Sequence, residues 1–174
     1  MHSFNADRTI RTIIATGLML ATCGTAVAAD APKALPLDKA ITVAQAALAQ
    51  CKTNGYNVTV MVMDPDFATR LVLRSDAAAA RTVEIARRKA YTVIKMGMSS
   101  GEFGKSVPAP ATPAAPRPPG ALPPGVNGDD NLITFAGGKQ IVVGGEVVGA
   151  ISVSGAPGGD KDEACVDVGL AKLK

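Results

Sequence analysis

Val147-Val148-Gly149-Ala150-Ile151-Ser152-Val153-Ser154-Gly155-Ala156-Pro157-Gly158-Gly159-Asp160-Lys161-Asp162-Glu163-Ala164-Cys165 joins a strand, a glycine-rich turn and the start of a helix. The first third is β-branched and apolar with almost no polar alternation, so both faces of this strand should be covered. Ser154 to Gly159 cannot continue a strand and should leave backbone N–H groups free. Asp160 reads as a helix N-cap, with Asp162 and Glu163 in a first turn that favours carboxylates. Such a turn can hold an anion or a carboxylate-bearing ligand at Ser154 and Gly155. The alternative is a plain strand-to-helix connection.

Working outward, Leu37 to Thr53 repeats Ile41, Ala44, Leu48 and Cys51 at helical spacing and ends at Asn54-Gly55. Asn57 to Asp64 alternates Val58, Val60 and Val62 with Thr59, Met61 and Met63, the period of a strand. Pro65-Asp66 begins a turn, and Thr69 to Arg74 is the returning strand. Asp76 can cap a helix over 77–97 whose apolar stripe is Val83, Ala86, Ala90, Val93 and Ile94. Arg81, Glu84, Arg87 and Arg88 form its wet face. Residues 108–128 are dense in proline, alanine and glycine and read as an irregular, partly polyproline surface loop. Strands are expected at 132–135, 139–143 and 146–154, with Gly144-Gly145 as a hairpin turn, and a last helix at 160–172. Hairpins dominate this order, so the reading is a single α+β domain: a mainly antiparallel sheet of five strands with helices packed on it.

The first 28 residues are set apart. Arg8 and Arg11 precede an apolar run, 13–21, and Ala26-Val27-Ala28 has the form of a signal-peptidase site. The expected division is a signal peptide at 1–28, a linker at 29–36 and the domain at 37–174. The expected location is periplasmic or secreted, with cleavage after Ala28. Leu20-Ala21-Thr22-Cys23 loosely resembles a lipoprotein box, but Thr22 is a poor residue before a lipidated cysteine, so no membrane anchor is expected. Without Arg8, Arg11 and Asp7 the net charge falls from +3 to +2, which makes no case for nucleic acid. The lone histidine, His2, falls in the expected signal peptide. A Ser-His-Asp triad, a histidine zinc site and a histidine-ligated haem are therefore all excluded from the mature chain. Cys51 and Cys165 are the remaining cysteines there, in an oxidising compartment, and a disulfide between them is expected.

Four stretches together resemble the GlcG/HbpS-type haem-binding family. The opening stretch is similar to its C-terminal signature. Leu73-Arg74-Ser75-Asp76 is similar to its Arg-x-Asp element, and Ala86-Arg87-Arg88-Lys89-Ala90-Tyr91-Thr92 to its Lys-Ala-x-Thr element. Ala136-Gly137-Gly138-Lys139-Gln140-Ile141 is similar to its Gly-Gly-x-Pro-Ile element, with Gln140 in place of proline. The resemblance runs from about Leu37 to Leu173. It implies a profilin-like or PAS-like five-stranded sheet, a homo-oligomer, and haem as the leading candidate ligand. Arg74, Arg81, Lys89 and Tyr91 are the residues nominated, with Ser154 and Gly155, to meet a porphyrin or a small acid. Where some members carry a histidine, this chain reads Asp76-Ala77-Ala78-Ala79-Ala80-Arg81, so an axial ligand would have to be Tyr91, a methionine, a lysine or a cysteine. Two other functions stay open: an enzyme or accessory acting on a small organic acid, and a non-catalytic sensor or scaffold.

Overall fold

In the computed structural model, residues 34–108, 116, 118 and 120–174 are described. The expected signal peptide, its cleavage site and Cys23 lie outside them. Residues 31–174 cluster as one unit. The elements are α1 (Leu37–Thr53), β1 (Thr59–Met63), β2 (Thr69–Arg74), α2 (Arg81–Met96), α3 (Ser100–Ser106), β3 (Gly138–Val143), β4 (Glu146–Ser154) and α4 (Gly159–Leu170), followed by a short 3-10 turn, Ala171–Leu173. Among the described residues, no helix is long and apolar enough to cross a membrane.

The sheet has strand order β2-β1-β4-β3, and every pairing is antiparallel. β1 and β4 are central, which is why their sequences are mostly apolar; β1 is buried along its whole length and β4 from Val148 to Ser154. The period of two sorts β1 between two cores. Val58, Val60 and Val62 face α1 and α4 with Ile151 and Val153. Met61 and Met63 face α2, meeting Ala86, Ala90 and Val93. Each fully buried valine or methionine contributes about 1.5–3 kcal/mol. The polar positions on the α2 side are used as ties. The Thr59 and Thr82 hydroxyls lie 2.7 Å apart, and Ser152 Oγ donates to the Ala86 carbonyl at 2.7 Å. Gly144 and Gly145 both have positive φ, +60° and +85°, as a two-residue primed hairpin turn requires.

On the other face, α1 and α4 are joined covalently. Cys51 and Cys165 form a disulfide with Cα atoms 5.6 Å apart. The buried stripe of α1 is Ala40, Val43, Ala44, Ala47 and Cys51, with Leu48 at its margin. Leu35, ahead of the helix, is buried in the same core, and its N–H donates to the Val148 carbonyl.

Several expectations need correction. Among the described residues the sheet has four strands, not five. Residues 132–135 are extended but outside the sheet, because α2 takes their backbone groups: Ile133 N donates to Thr92 Oγ1 (3.0 Å), and the Leu132 carbonyl accepts from Arg88 (2.7 Å). The helix expected from 77 begins at Arg81, and Asp76 does not cap it. The Arg74 guanidinium holds the Ala78 carbonyl, which keeps the alanine run in a turn despite its helix propensity. α4 is capped by Gly158 rather than Asp160. α3 was not anticipated, although Ser99 and Glu102 form a full capping box, a pattern present in the sequence.

Arg88 is the largest departure from the expected wet face, being 3% exposed. Its guanidinium donates to the carbonyls of Pro123 (2.6 Å), Pro124 (3.0 Å) and Leu132 (2.7 Å). It thereby straps the end of the proline-rich segment to α2. Arg87 adds a bond to Asn131 (2.7 Å) beside its pair with Glu84. Arg88→Met is expected to cost about 1–3 kcal/mol through the carbonyls left unpaired. Hydrogen exchange should then quicken at 126–133 before it does in the sheet, and unchanged protection there would show that the strap does not depend on Arg88.

Candidate functional site

The turn Ser154–Gly159 and the first half of α2 face each other across a cleft of about 860 Å³, within the range of small-molecule sites. Ser154, Gly155, Arg81 and Lys89 all line it, together with Tyr56, Ile85 and Phe135. Four of the six residues nominated from sequence are thus brought together. Arg74 and Tyr91 are not in this cleft. Arg74 is bound to the Ala78 carbonyl behind the turn that leads into α2. Tyr91 bonds Asp129 at 3.1 Å and packs its ring 5.0 Å from that of Phe67. Burial and the Asp129 bond push the Tyr91 phenol above its ordinary value, which disfavours the phenolate a metal would need.

Lys89 is 2% exposed and is already committed. Its Nζ donates to Asp162 Oδ2 (2.7 Å) and to the Val153 carbonyl (2.8 Å). Asp162, 4% exposed, accepts from Ala156 N at 2.9 Å through its other oxygen. The pair therefore clamps α2, β4 and the glycine-rich turn at one point in the cleft wall. Burial pushes the Lys89 ammonium below its ordinary value against the pull of Asp162. Burial likewise pushes the Asp162 carboxyl up, and Lys89 opposes that. Gly137 completes the clamp. A Cβ there would lie 2.6 Å from Asp162 Cβ and 2.9 Å from Lys89 Nζ, so the Gly-Gly element exists to admit this pair. Sequence reasoning placed Asp162 in the helix dipole and missed its partner, since the two residues are 73 positions apart.

With Lys89 neutralised by Asp162, Arg81 is the cleft's accessible cation, exposed at the start of α2. A second, larger groove of about 1200 Å³ runs along α3, β3 and α4. Its charged lining is Glu102, Asp160, Glu163 and Asp167 against Lys105 and Lys139, and Lys139 is bonded to Glu163 (3.0 Å) and Asp167 (2.7 Å). The larger groove thus carries more carboxylates than cations in its lining, whereas in the smaller cleft the one carboxylate, Asp162, is bonded to Lys89.

A family model described as haem degrading protein HbpS-like matches residues 35–171. The chain belongs to the HbpS-like family. A crystal structure of HbpS is 28% identical, with a TM-score of 0.64, over 81% of this chain and 91% of that one. A double mutant of HbpS from Streptomyces reticuli is 25% identical, with a TM-score of 0.64, over 96% of this chain and 99% of that one. A crystal structure of a PduOC–heme complex is 21% identical, with a TM-score of 0.66, over 81% and 96% of the two chains, a likeness of fold alone. No curated protein matches the chain significantly. The HbpS-like elements read from sequence converge in space: Lys89 of Lys-Ala-x-Thr, Gly137 of Gly-Gly and Asp162 of the C-terminal signature meet at the clamp.

Proposed function

We propose that this HbpS-like protein is an exported binder of a small apolar, anionic ligand, with haem the leading candidate. The observation that carries the reading is the cleft itself: apolar walls from Tyr56, Ile85 and Phe135, one accessible arginine, and an exposed glycine at Gly155. The family's haem-related description and the haem complex of a protein with this fold, PduOC, support the choice of ligand. Export is supported by the run from Arg8 to Ala28 and by a disulfide, which persists in oxidising compartments.

The residues present fit the edge and faces of a haem better than its iron. Arg81 suits a propionate, and the aromatic and aliphatic walls suit the flat macrocycle. Among the described lining residues, the haem-ligating types are Tyr56 and Lys89, the latter committed to Asp162, with no histidine, methionine or cysteine. Haemin titration into the oxidised protein should give a saturable Soret shift. Arg81→Ala should weaken binding by about 10- to 100-fold, the range of a charge-assisted hydrogen bond of roughly 1.5–3 kcal/mol. Absence of any haem spectrum with folded protein would overturn the haem reading and leave the organic-acid reading.

A further inference from the structure

Phe135 is the least explained large side chain of the cleft. It is 41% exposed and packs with neither hydrophobic core, yet its position is determined. The chain entering it is pinned by Arg88 at the Leu132 carbonyl and by Thr92 at Ile133 N. Two buried side chains of α2 thus hold an exposed aromatic residue at the cleft. Few aromatic residues are present in the chain, four phenylalanines and two tyrosines, and two of them, Tyr56 and Phe135, line this one cleft. An exposed aromatic residue held at a concave site is a binding feature.

The polar side of the cleft shows a second regularity. Its carboxylate and its lysine are bonded to each other, and Asp162 has its second oxygen on Ala156 N. What remains to a ligand is the Arg81 cation, the exposed Asn57, the backbone of the glycine-rich turn and aromatic surface; among the described lining residues outside the clamp, Tyr56 is the one of a haem-ligating type.

From this we infer that the cleft recognises the flat, carboxylate-bearing macrocycle and not the metal inside it, so that metal-free porphyrins are ligands of this protein alongside haem. The inference rests on the reading of this cleft as the haem-type site. Aromatic faces and a guanidinium are indifferent to what fills the centre of the ring. A carboxylate on its rim is favoured, because among the described lining residues Arg81 is the exposed cation, while Lys89 is bonded to Asp162.

The test is a set of titrations of the full oxidised chain with haemin, metal-free protoporphyrin IX, and the dimethyl ester of that porphyrin, followed by absorbance and by porphyrin fluorescence. Metal-free porphyrin should bind within about fivefold of haemin, and the ester at least about tenfold more weakly. Phe135→Ala should weaken haemin and metal-free porphyrin in parallel, by up to about tenfold for a lost aromatic contact. Tyr56→Phe should alter the affinity for haemin and for metal-free porphyrin by the same factor. If haemin binds while metal-free porphyrin is weaker by about thirtyfold or more, or if Tyr56→Phe weakens haemin alone, the metal is being read. The inference then fails and the haem reading stands. If none of the three compounds binds the folded chain, both fail together. Circular dichroism of each variant separates lost binding from lost fold.

Discussion

Loss of the Cys51–Cys165 disulfide is expected to lower the unfolding free energy by about 4–5 kcal/mol, the chain-entropy value for closing a loop of this length. The two cysteines are 114 residues apart, so the bond closes nearly the whole described domain. It ties α1 to α4 within a core of small side chains: Ala40, Ala44 and Ala47 on α1, and Gly169 on α4, which approaches the Val43 carbonyl. Such residues bury little apolar area each, so the helix pair leans on its covalent link. Domains of this kind have a total stability of about 5–15 kcal/mol, so the loss is a large fraction of it. The measurement is urea denaturation of the oxidised protein against a Cys51→Ala, Cys165→Ala double variant. Coincident midpoints would show that the bond adds nothing that packing does not already supply.

Breaking the Lys89–Asp162 pair from one side is the second large effect. Asp162→Leu leaves an ammonium that is 2% exposed with the Val153 carbonyl as its remaining partner. Lys89→Met leaves a buried carboxylate on Ala156 N alone. Each is expected to cost about 3–5 kcal/mol, because an uncompensated buried charge is far worse than a paired one. The double variant Lys89→Met, Asp162→Leu should recover much of that loss, since apolar replacement of a whole buried pair is often neutral. Equilibrium denaturation of the four proteins forms a double-mutant cycle. Additive single losses would mean that the two groups do not interact. The cycle has a functional arm as well. The pair anchors the Ser154–Gly159 turn, so haemin affinity should fall in the single variants more than in the double, if the latter restores the turn.

A good part of this architecture was legible in the chain. The alternation of Val58, Val60 and Val62 with Thr59, Met61 and Met63 located β1 and its two faces, because strand geometry sends successive side chains to opposite sides. The stripe of Val83, Ala86, Ala90 and Val93 located α2 and its buried side, and Gly144-Gly145 located the hairpin. The errors fell where a long-range contact overrode a local preference. The alanine run 77–80 has strong helix propensity and is not helix, because Arg74 holds its backbone. The apolar run 132–135 has strand character and is not in the sheet, because Thr92 and Arg88 occupy its backbone groups.

The candidate site divides in the same way. Ser154, Gly155, Arg81 and Lys89 could be nominated one by one from turn chemistry, charge and the family resemblance. Their assembly into one cleft, and the absence of Arg74 and Tyr91 from it, could not.

By itself, the sequence determined what depends on neighbours a few residues away: strand and helix periods and the glycine-rich turn. The Cys51–Cys165 pairing was also within its reach, since just two cysteines follow the expected signal. Only the tertiary structure decided which charges are spent and which remain available. Lys89, Arg87 and Arg88 stand side by side on one helix and look alike in the sequence. One meets a carboxylate from α4 73 residues away, one bonds Glu84 and Asn131, and one holds the proline-rich segment through two carbonyls and Leu132 through a third. The physical reason is that burial and pairing, rather than residue type, set what a charged group can do, and both are properties of the packed chain.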